Sequence, residues 1–316
     1  MKDLPTVSEI RKAQVRIAPY VWQTPLLRVG SVPLYLKMEC WQRTGSFKVR
    51  GAFSKLLTLS KEELARGLVT ASAGNHGIGV AEAARSLGTT CHVFVPLSAA
   101  RAKIRSLEEL GALLHFAGRD YDECEEEARR WARDHNALFV HAFDDLEVIA
   151  GQGTVGLEMI EQMDDGVRTL FVPVGGGGLI AGVASAFRGL RPDVRIIGVQ
   201  PEASPAMLRA LEAGHVVETP CGETLADGLA GRFVSERTLR ACQRWVDGIV
   251  LVSEKEIRAA VFWLLDTVHT VGEGSAVVGI AAALRGKEPE PYATIVTGRN
   301  IDAQLLCRIL REETNA

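Results

Sequence analysis

The sequence predicts an α/β protein built from two parallel sheets, each covered by helices on both faces, with a cleft between them. Short apolar runs alternate with longer amphipathic segments along nearly the whole chain, which is the pattern of strands separated by helices. The elements fall into two successive sets, which predicts two α/β domains. Three strand-to-helix turns carry glycines or a lysine at the helix start, and this indicates a site at the carboxyl ends of parallel strands.

The first set begins with a helix whose start is marked by a capping box, Thr6 to Glu9. An apolar strand at 34–38 then leads towards a helix that begins near Lys48. Further strands are predicted at 67–72, 91–96, 113–116 and 138–140, and helices at 75–86, 100–110 and 120–134. The last of these helices carries an acidic run, which we interpret as a solvated face rather than a binding site.

The second set begins with a helix predicted at 154–163. Strands follow at 170–174, 195–199, 249–252 and 294–296, with helices between them. The chain contains no internal repeat and no low-complexity linker.

Composition and charge exclude several classes of function. A net charge of −3 gives no basic excess for nucleic acid, and no apolar run approaches the length of a membrane span. The first residues have no apolar core of the kind that a signal peptide carries. Six scattered cysteines without a CxxC pair predict reduced thiols in the cytoplasm and no structural zinc.

The first chemical motif is the stretch 44–52, TGSFKVRGA, in which Lys48 stands at a predicted helix start. The positive end of the helix dipole and partial burial both disfavour an ammonium group, so the amine is easier to deprotonate. A neutral lysine amine can form a Schiff base with a carbonyl cofactor. A lone lysine is more often a solvated surface charge, so this interpretation depends on the other two turns.

Those two turns are SAGNHG at 72–77 and the four glycines at 175–178. Consecutive glycines let backbone amides approach a phosphate, and the helix that opens at Leu179 directs its positive end to the same place. A plain flexible turn is the alternative. No Lys-Ser/Thr pair follows the glycines, and no GxGxxG with a ribose-binding acid is present, so a monophosphate cofactor fits best.

Taken in order, Ser46-Phe47-Lys48, Arg50-Gly51-Ala52, SAGNHG and the four glycines resemble the threonine dehydratase and serine racemase family over roughly residues 17–309. These are pyridoxal-phosphate enzymes of fold type II, similar to the tryptophan synthase β chain. The resemblance implies pyridoxal 5′-phosphate as cofactor, a small amino acid as substrate and a homodimer. It also implies a large cofactor-binding domain at 1–60 and 146–316, with a small domain inserted at 61–145.

The resemblance also assigns roles to residues. Lys48 would hold the cofactor and move the α-proton, Phe47 would pack against its ring, and Asn75 would bind the ring hydroxyl. Thr297 would lie near the pyridine nitrogen, which favours β-elimination over transamination. The phosphate site would be Gly175, Gly176, Gly177, Gly178 and Leu179, and the substrate carboxylate site would be Ser72, Ala73, Gly74, Asn75 and His76. We expect His76 to act mainly through its backbone.

Some positions depart from the family pattern or leave two interpretations open. Racemases of the family carry a serine where this chain has Ala73, and alanine cannot carry a proton. Members that bind a divalent cation have acids where this chain has Gln200 and Ala206, so we expect no metal, although Glu202 is nearby. Arg299 replaces a small residue and would either face solvent or add a cation near the substrate.

Two further acids, Asp227 and Glu273, would either support the structure or tune the site.

Together with this resemblance, the sequence predicts an ammonia-lyase that converts a 3-hydroxy amino acid, such as L-threonine or L-serine, to a 2-keto acid and ammonia. The alternatives are an amino-acid racemase, a dehydratase for 3-hydroxyaspartate or 3-phenylserine, and a catalytically silent binding relative. An intact Lys48 disfavours the last of these.

Overall fold

The larger of the two sheets in this protein has six strands in the order β1-β2-β10-β7-β8-β9. The computed structural model describes residues 4–97, 101–118 and 121–314. The strands of this sheet are β1 (Leu26–Arg28), β2 (Leu34–Lys37), β7 (Thr169–Pro173), β8 (Arg195–Pro201), β9 (Gly248–Val252) and β10 (Tyr292–Ile295). All neighbours are parallel except β1, which pairs antiparallel with β2 at the edge. The sequence analysis did not predict this short edge strand.

The smaller sheet is fully parallel and has the order β5-β4-β3-β6. Its strands are β3 (Leu68–Ala71), β4 (Cys91–Val95), β5 (Leu113–Phe116) and β6 (Leu138–Phe139). The predicted class, two parallel α/β sheets, is confirmed, with β1 as the exception. All four strands come from one continuous stretch, whereas the larger sheet uses chain on both sides of it. The boundaries 61–145 for an inserted domain stay a prediction.

Helices cover both sheets. They are α1 (Val7–Ile17), α2 (Lys48–Leu56), α3 (Lys61–Ala65), α4 (Asn75–Leu87), α5 (Arg101–Glu109), α6 (Tyr121–Asp134), α7 (Leu146–Gln162), α8 (Gly178–Leu190), α9 (Ala206–Ala213), α10 (Glu236–Trp245), α11 (Glu254–Val268), α12 (Gly274–Leu284) and α13 (Ala303–Thr314). The capping box predicted for α1 forms in full. The predicted helix starts at 100 and 120 lie outside the described residues. Among the helices described, none is long and apolar enough to cross a bilayer.

Helix α7 begins two turns earlier than the sequence predicted. Asp145 caps it by accepting hydrogen bonds from the amides of Glu147 and Val148 at 2.8 and 3.2 Å. Glycine is a poor helix former, yet the first half of α7 contains Gly151 and Gly153. They serve close packing instead, because a Cβ on Gly151 would lie 2.6 Å from the Arg50 carbonyl oxygen and one on Gly153 would lie 3.0 Å from that of Gly182. Helix α7 therefore packs backbone against backbone on α2 and α8.

A buried ionic cluster lies behind the start of α2. The Arg50 guanidinium donates to both oxygens of Glu39 at 2.8 Å and to both oxygens of Glu158 at 2.7 and 2.9 Å. Lys37 donates to Glu158 at 2.6 Å. These four side chains carry two charges of each sign and are at most 5% exposed. The cluster ties the first turn of α2 to β2 and α7, and so fixes the helix that carries Lys48.

Candidate active site

A cavity of about 420 Å³ lies between the two sheets, where four strands end. Ser72 follows β3, His141 follows β6, Gly175 follows β7 and Thr297 follows β10. This agrees with the rule that parallel sheets bind ligands beyond the carboxyl ends of their strands. Every site residue named from the sequence borders the cavity except Arg299. They are Phe47, Lys48, Ser72, Ala73, Gly74, Asn75, His76, Gly175, Gly176, Gly177, Gly178, Leu179, Asp227, Glu273 and Thr297.

Lys48 is the first residue of α2 and is half-buried. Its Nζ donates to the carbonyl oxygen of Ala142 at 3.1 Å and lies 5.5 Å from the centroid of the Phe47 ring. Burial lowers the pKa of the Lys48 amine to about 8. Lys48 lies beside the end of β10, because the amide of the preceding residue, Phe47, donates to the Thr297 carbonyl at 3.1 Å. The amine therefore loses its proton far more readily than an ordinary lysine does.

Asn75, the first residue of α4, is held by side chains on both sides. Its Nδ2 donates to Glu273 Oε1 at 2.6 Å, and its Oδ1 accepts from Asn300 Nδ2 at 2.7 Å. Gly298 leaves room for these hydrogen-bonded side chains, since a Cβ at position 298 would lie 2.3 Å from Glu273 Oε1. The sequence analysis assigned no role to Asn300. The structure makes it the partner that fixes the orientation of the Asn75 amide.

Glu273 is a buried carboxyl with an unusual pKa. Burial raises its pKa to about 7, and the carboxylate of Asp227 adds to the rise, while the Asn75 amide and the Lys103 ammonium oppose it. Asp227 in turn forms an ion pair with Lys103 of α5, so this pair joins the two sides of the cavity. A second pair, from Arg232 Nε to Asp122 Oδ2 at 2.8 Å, does the same.

The glycine loop leaves the amino end of α8 open towards the cavity. Gly177 is the N-cap residue, with φ +93°, and no side chain caps this helix. The ring of Phe143 packs on the loop, because a Cβ on Gly176 would lie 2.4 Å from two of its ring atoms. Uncapped amides at a helix start, with no side chain in front of them, suit a phosphate group.

The turn 72–76 closes the opposite wall. Ser72 Oγ accepts from the Gly74 amide at 3.1 Å. His76 is buried, and its Nε2 lies 3.1 Å from the Val140 carbonyl oxygen. Burial and the nearby Lys48 charge lower the pKa of His76 to about 3, so its ring is neutral. Thr297 is buried at the far side, with Oγ1 3.5 Å from the Ser275 carbonyl oxygen.

Two departures from the family pattern have structural outcomes. Arg299 is exposed and does not border the cavity, so of its two interpretations the solvent-facing one holds. Gln200 is fully buried, and its side chain accepts from the Leu208 amide at 3.0 Å and donates to the Ser204 carbonyl at 3.3 Å. Its amide joins the end of β8 to the start of α9. No cluster of three or more potential metal ligands occurs among the described residues.

Several cavity residues were missed by the sequence analysis. The interpretation of the acidic run as a solvated face is wrong for the start of α6, because Tyr121 and Glu125 border the cavity. His141 and Phe143 do so as well, from the segment between β6 and α7. The position of His141 just after a predicted parallel strand was the one available signal for it. Nothing in the local sequence indicated the others.

Comparisons with known proteins agree with this geometry. Residues 17–298 match the family described as pyridoxal-phosphate dependent enzyme. The chain belongs to this family. It is 41% identical to the L-threonine ammonia-lyase of Thermotoga maritima, over 97% of this chain and 78% of that one. It is 33% identical to a serine racemase of Oryza sativa subsp. indica, over 95% and 92%.

Solved structures give the same family of folds. The structure of maize serine racemase matches with a TM-score of 0.91 and 31% identity, over 98% of both chains. Processed threonine deaminase isoform 2 of Solanum lycopersicum matches with a TM-score of 0.90 and 34% identity, over 99% of this chain and 90% of that one. The predicted family, fold type and pyridoxal phosphate cofactor are therefore confirmed.

The residues present suit this cofactor. The uncapped start of α8 can receive a phosphate, and the Lys48 amine, whose pKa burial lowers to about 8, can bond to an aldehyde. The Asn75 amide, held between Glu273 and Asn300, can meet a ring hydroxyl.

Proposed function

We propose that this protein is a pyridoxal-phosphate-dependent ammonia-lyase that dehydrates a small L-3-hydroxy amino acid, with L-threonine and L-serine as the first candidates. Several relatives at 35–41% identity bear the names L-threonine ammonia-lyase or L-threonine dehydratase. The observation that carries the proposal is a cavity in which Lys48, an amine of lowered pKa, lies near a turn where Ala73 carries no proton-donating side chain. That is the arrangement elimination needs.

When bound, the cofactor supplies an electron sink that makes the substrate α-proton acidic. Lys48 is the base that takes this proton, because its lowered pKa leaves an uncharged amine available near neutral pH. The Ala142 carbonyl orients the amine. The turn 72–76 offers backbone amides to the substrate carboxylate at the start of α4.

The main alternative is an amino-acid racemase, and relatives named serine racemase are also similar to this chain. Racemisation needs a second proton carrier opposite Lys48. Ala73 has none; of its neighbours, Ser72 Oγ accepts from the Gly74 amide and His76 Nε2 lies 3.1 Å from the Val140 carbonyl oxygen. The low pKa of His76 leaves it neutral and a poor base. These contacts support elimination over racemisation.

The test is to incubate the purified holoenzyme with L-threonine, L-serine, 3-phenylserine and 3-hydroxyaspartate and to follow ammonia and 2-keto acid. A second measurement follows pyruvate and D-serine together from L-serine in deuterated water. We expect pyruvate to exceed D-serine at least tenfold, and Ala73→Ser to raise D-serine formation while Lys48 chemistry persists. D-serine at a rate comparable to pyruvate in the parent protein would make the enzyme a racemase.

We further propose that the enzyme is a cytoplasmic homodimer. Three of the cysteines, Cys40, Cys91 and Cys242, are buried and form no disulfide, which suits a reducing compartment. Exposed apolar side chains such as Val15 and Trp22, 76% and 57% accessible, offer surface for self-association. Light scattering on purified protein distinguishes the dimer from a monomer of 34.2 kDa.

A further inference from the structure

The segment 141–144, which connects β6 to α7, contacts both halves of the cofactor site. The carbonyl of Ala142 accepts the Lys48 amine at 3.1 Å. The ring of the next residue, Phe143, packs on Gly176. A Cβ on Gly178 would lie 2.8 Å from the Phe143 Cβ. One short stretch of chain therefore touches the amine at one end of the site and the glycine loop at the other.

The conformation of this segment depends on the ring of His141. His141 Nδ1 lies 3.1 Å from the Phe143 amide and 2.9 Å from the Asp144 amide. Both amides are donors, so Nδ1 must present its lone pair, and the ring proton must be on Nε2. The imidazole thus closes a tight turn around Ala142, as an Asx side chain does in other turns.

The other ring nitrogen faces Glu125 of α6. His141 Nε2 lies 3.4 Å from Glu125 Oε1, and the two side chains are 13% and 17% exposed. Tyr121 donates to Glu125 Oε2 at 2.6 Å and Arg129 Nε to Oε1 at 2.8 Å, so the carboxylate is fixed from three sides. Burial alone would raise the pKa of Glu125, but these partners outweigh it and hold the pKa at about 2. An ionised carboxylate accepts only, which requires the proton on Nε2.

We propose that His141 is the positioning residue of this site: it sets the Ala142 carbonyl and the Phe143 ring, and Glu125 holds it in the tautomer that this requires. The inference rests on the proposed function only for its kinetic consequence. His141 orients, through backbone, the carbonyl that directs the Lys48 amine, and it presses Phe143 onto the glycine loop. Loss of the Nδ1 acceptor frees both contacts at once.

The chain allows a matched set of variants. His141→Asn places an amide oxygen where Nδ1 was and keeps the acceptor for both backbone amides. His141→Gln places its polar atoms where Nε2 was and loses that acceptor. His141→Ala loses both functions, and His215→Ala removes an exposed histidine as a control. Glu125→Leu removes the acceptor for Nε2.

The first measurement is amide hydrogen exchange of Phe143 and Asp144 in each full-length holoenzyme. We expect about tenfold faster exchange in His141→Ala, His141→Gln and Glu125→Leu, and rates near the parent in His141→Asn and His215→Ala. The second is the dissociation constant for pyridoxal phosphate, which should rise several-fold in the same three variants. The third is kinetics with L-threonine, in which kcat should fall about tenfold while KM changes less than threefold.

Parent-like exchange in His141→Ala would overturn the proposal. So would a His141→Asn variant as impaired as His141→Ala, because the ring would then act by something other than its Nδ1 acceptor. If His141→Ala does not fold, the Asn and Gln variants still decide the question. Unchanged exchange in Glu125→Leu would remove Glu125 from the proposal. Exchange and cofactor affinity need no substrate, so a failed dehydratase assay in the parent would refute the proposed function and leave this test intact.

Discussion

Replacing Arg50 by methionine should destabilise the protein strongly, because it removes the centre of the buried ionic cluster. The guanidinium donates two hydrogen bonds to Glu39 and two to Glu158, and is 1% exposed. Without it, two buried carboxylates share one remaining cation, Lys37, which donates to Glu158. Breaking a buried pair by removing one partner costs about 3–5 kcal/mol, and the double pairing puts this case in the upper half of that range.

Urea unfolding followed by fluorescence measures the loss directly. For a chain of 316 residues the unfolding entropy is about 0.7 kcal/mol per kelvin, so Tm should fall by about 5–8 °C. The matched control is Arg43→Met, whose partly exposed pair with Glu82 should contribute at most about 1 kcal/mol. A quadruple variant that also replaces Lys37, Glu39 and Glu158 by apolar residues should recover most of the loss.

If Arg50→Met unfolds with a free energy within about 1 kcal/mol of the parent, the reasoning is refuted, because two uncompensated carboxylates cannot remain buried at so small a cost. A free energy of unfolding close to that of the parent is expected only for the quadruple variant, in which no charge is left unpaired. Comparing the two separates the penalty for unpaired charge from the penalty for lost volume.

Three further outcomes are expected. Borohydride should fix the cofactor covalently to Lys48, and Lys48→Ala should carry none; a peptide map that places it on another lysine would contradict this. Gly177→Ala should weaken pyridoxal phosphate binding at least tenfold, because its Cβ would lie 2.7 Å from Met207 and Thr238, whereas Gly214→Ala, also at positive φ but in open space, should leave binding unchanged. In cofactor-free protein, the raised pKa of Glu273 means that the folded form binds more protons than the unfolded form between pH 4.5 and about 7. The free energy of unfolding therefore falls as pH rises through about 7. Glu273→Gln should abolish this decline in urea titrations.

The local sequence pattern was sufficient to predict those parts of the site that lie within a single strand-to-helix turn. Lys48 and the glycine loop are recognisable because a helix start, a preceding strand and unusual residues coincide within a few positions. The contacts that orient them are not local. Asn75 and Glu273 are 198 positions apart, and Lys48 and Ala142 are 94 apart. Hydrophobic periodicity gives the face of a helix but not its neighbour, so no pattern could pair them.

Helix α6 and helix α7 show two ways in which local pattern fails. An acidic face predicts contact with water, yet Tyr121 and Glu125 turn towards the cavity, where His141 lies 3.4 Å from the Glu125 carboxylate. The glycines of α7 disfavour a helix intrinsically, yet they permit helices to meet at backbone distance, as at Gly153 and Gly182. In both cases the packing of another segment outweighs the intrinsic preference of the residues.

The two ion pairs that join the sides of the cavity, Lys103 with Asp227 and Arg232 with Asp122, make the opening of the site depend on ionic strength. Each pair is partly accessible to water, so dissolved salt screens it. At low salt the attraction within each pair is least screened, so the contact between the two walls is strongest. Raising salt loosens this attraction without touching the buried cluster around Arg50. The two ion pairs across the cavity therefore weaken as the salt concentration rises, whereas the buried cluster around Arg50 does not.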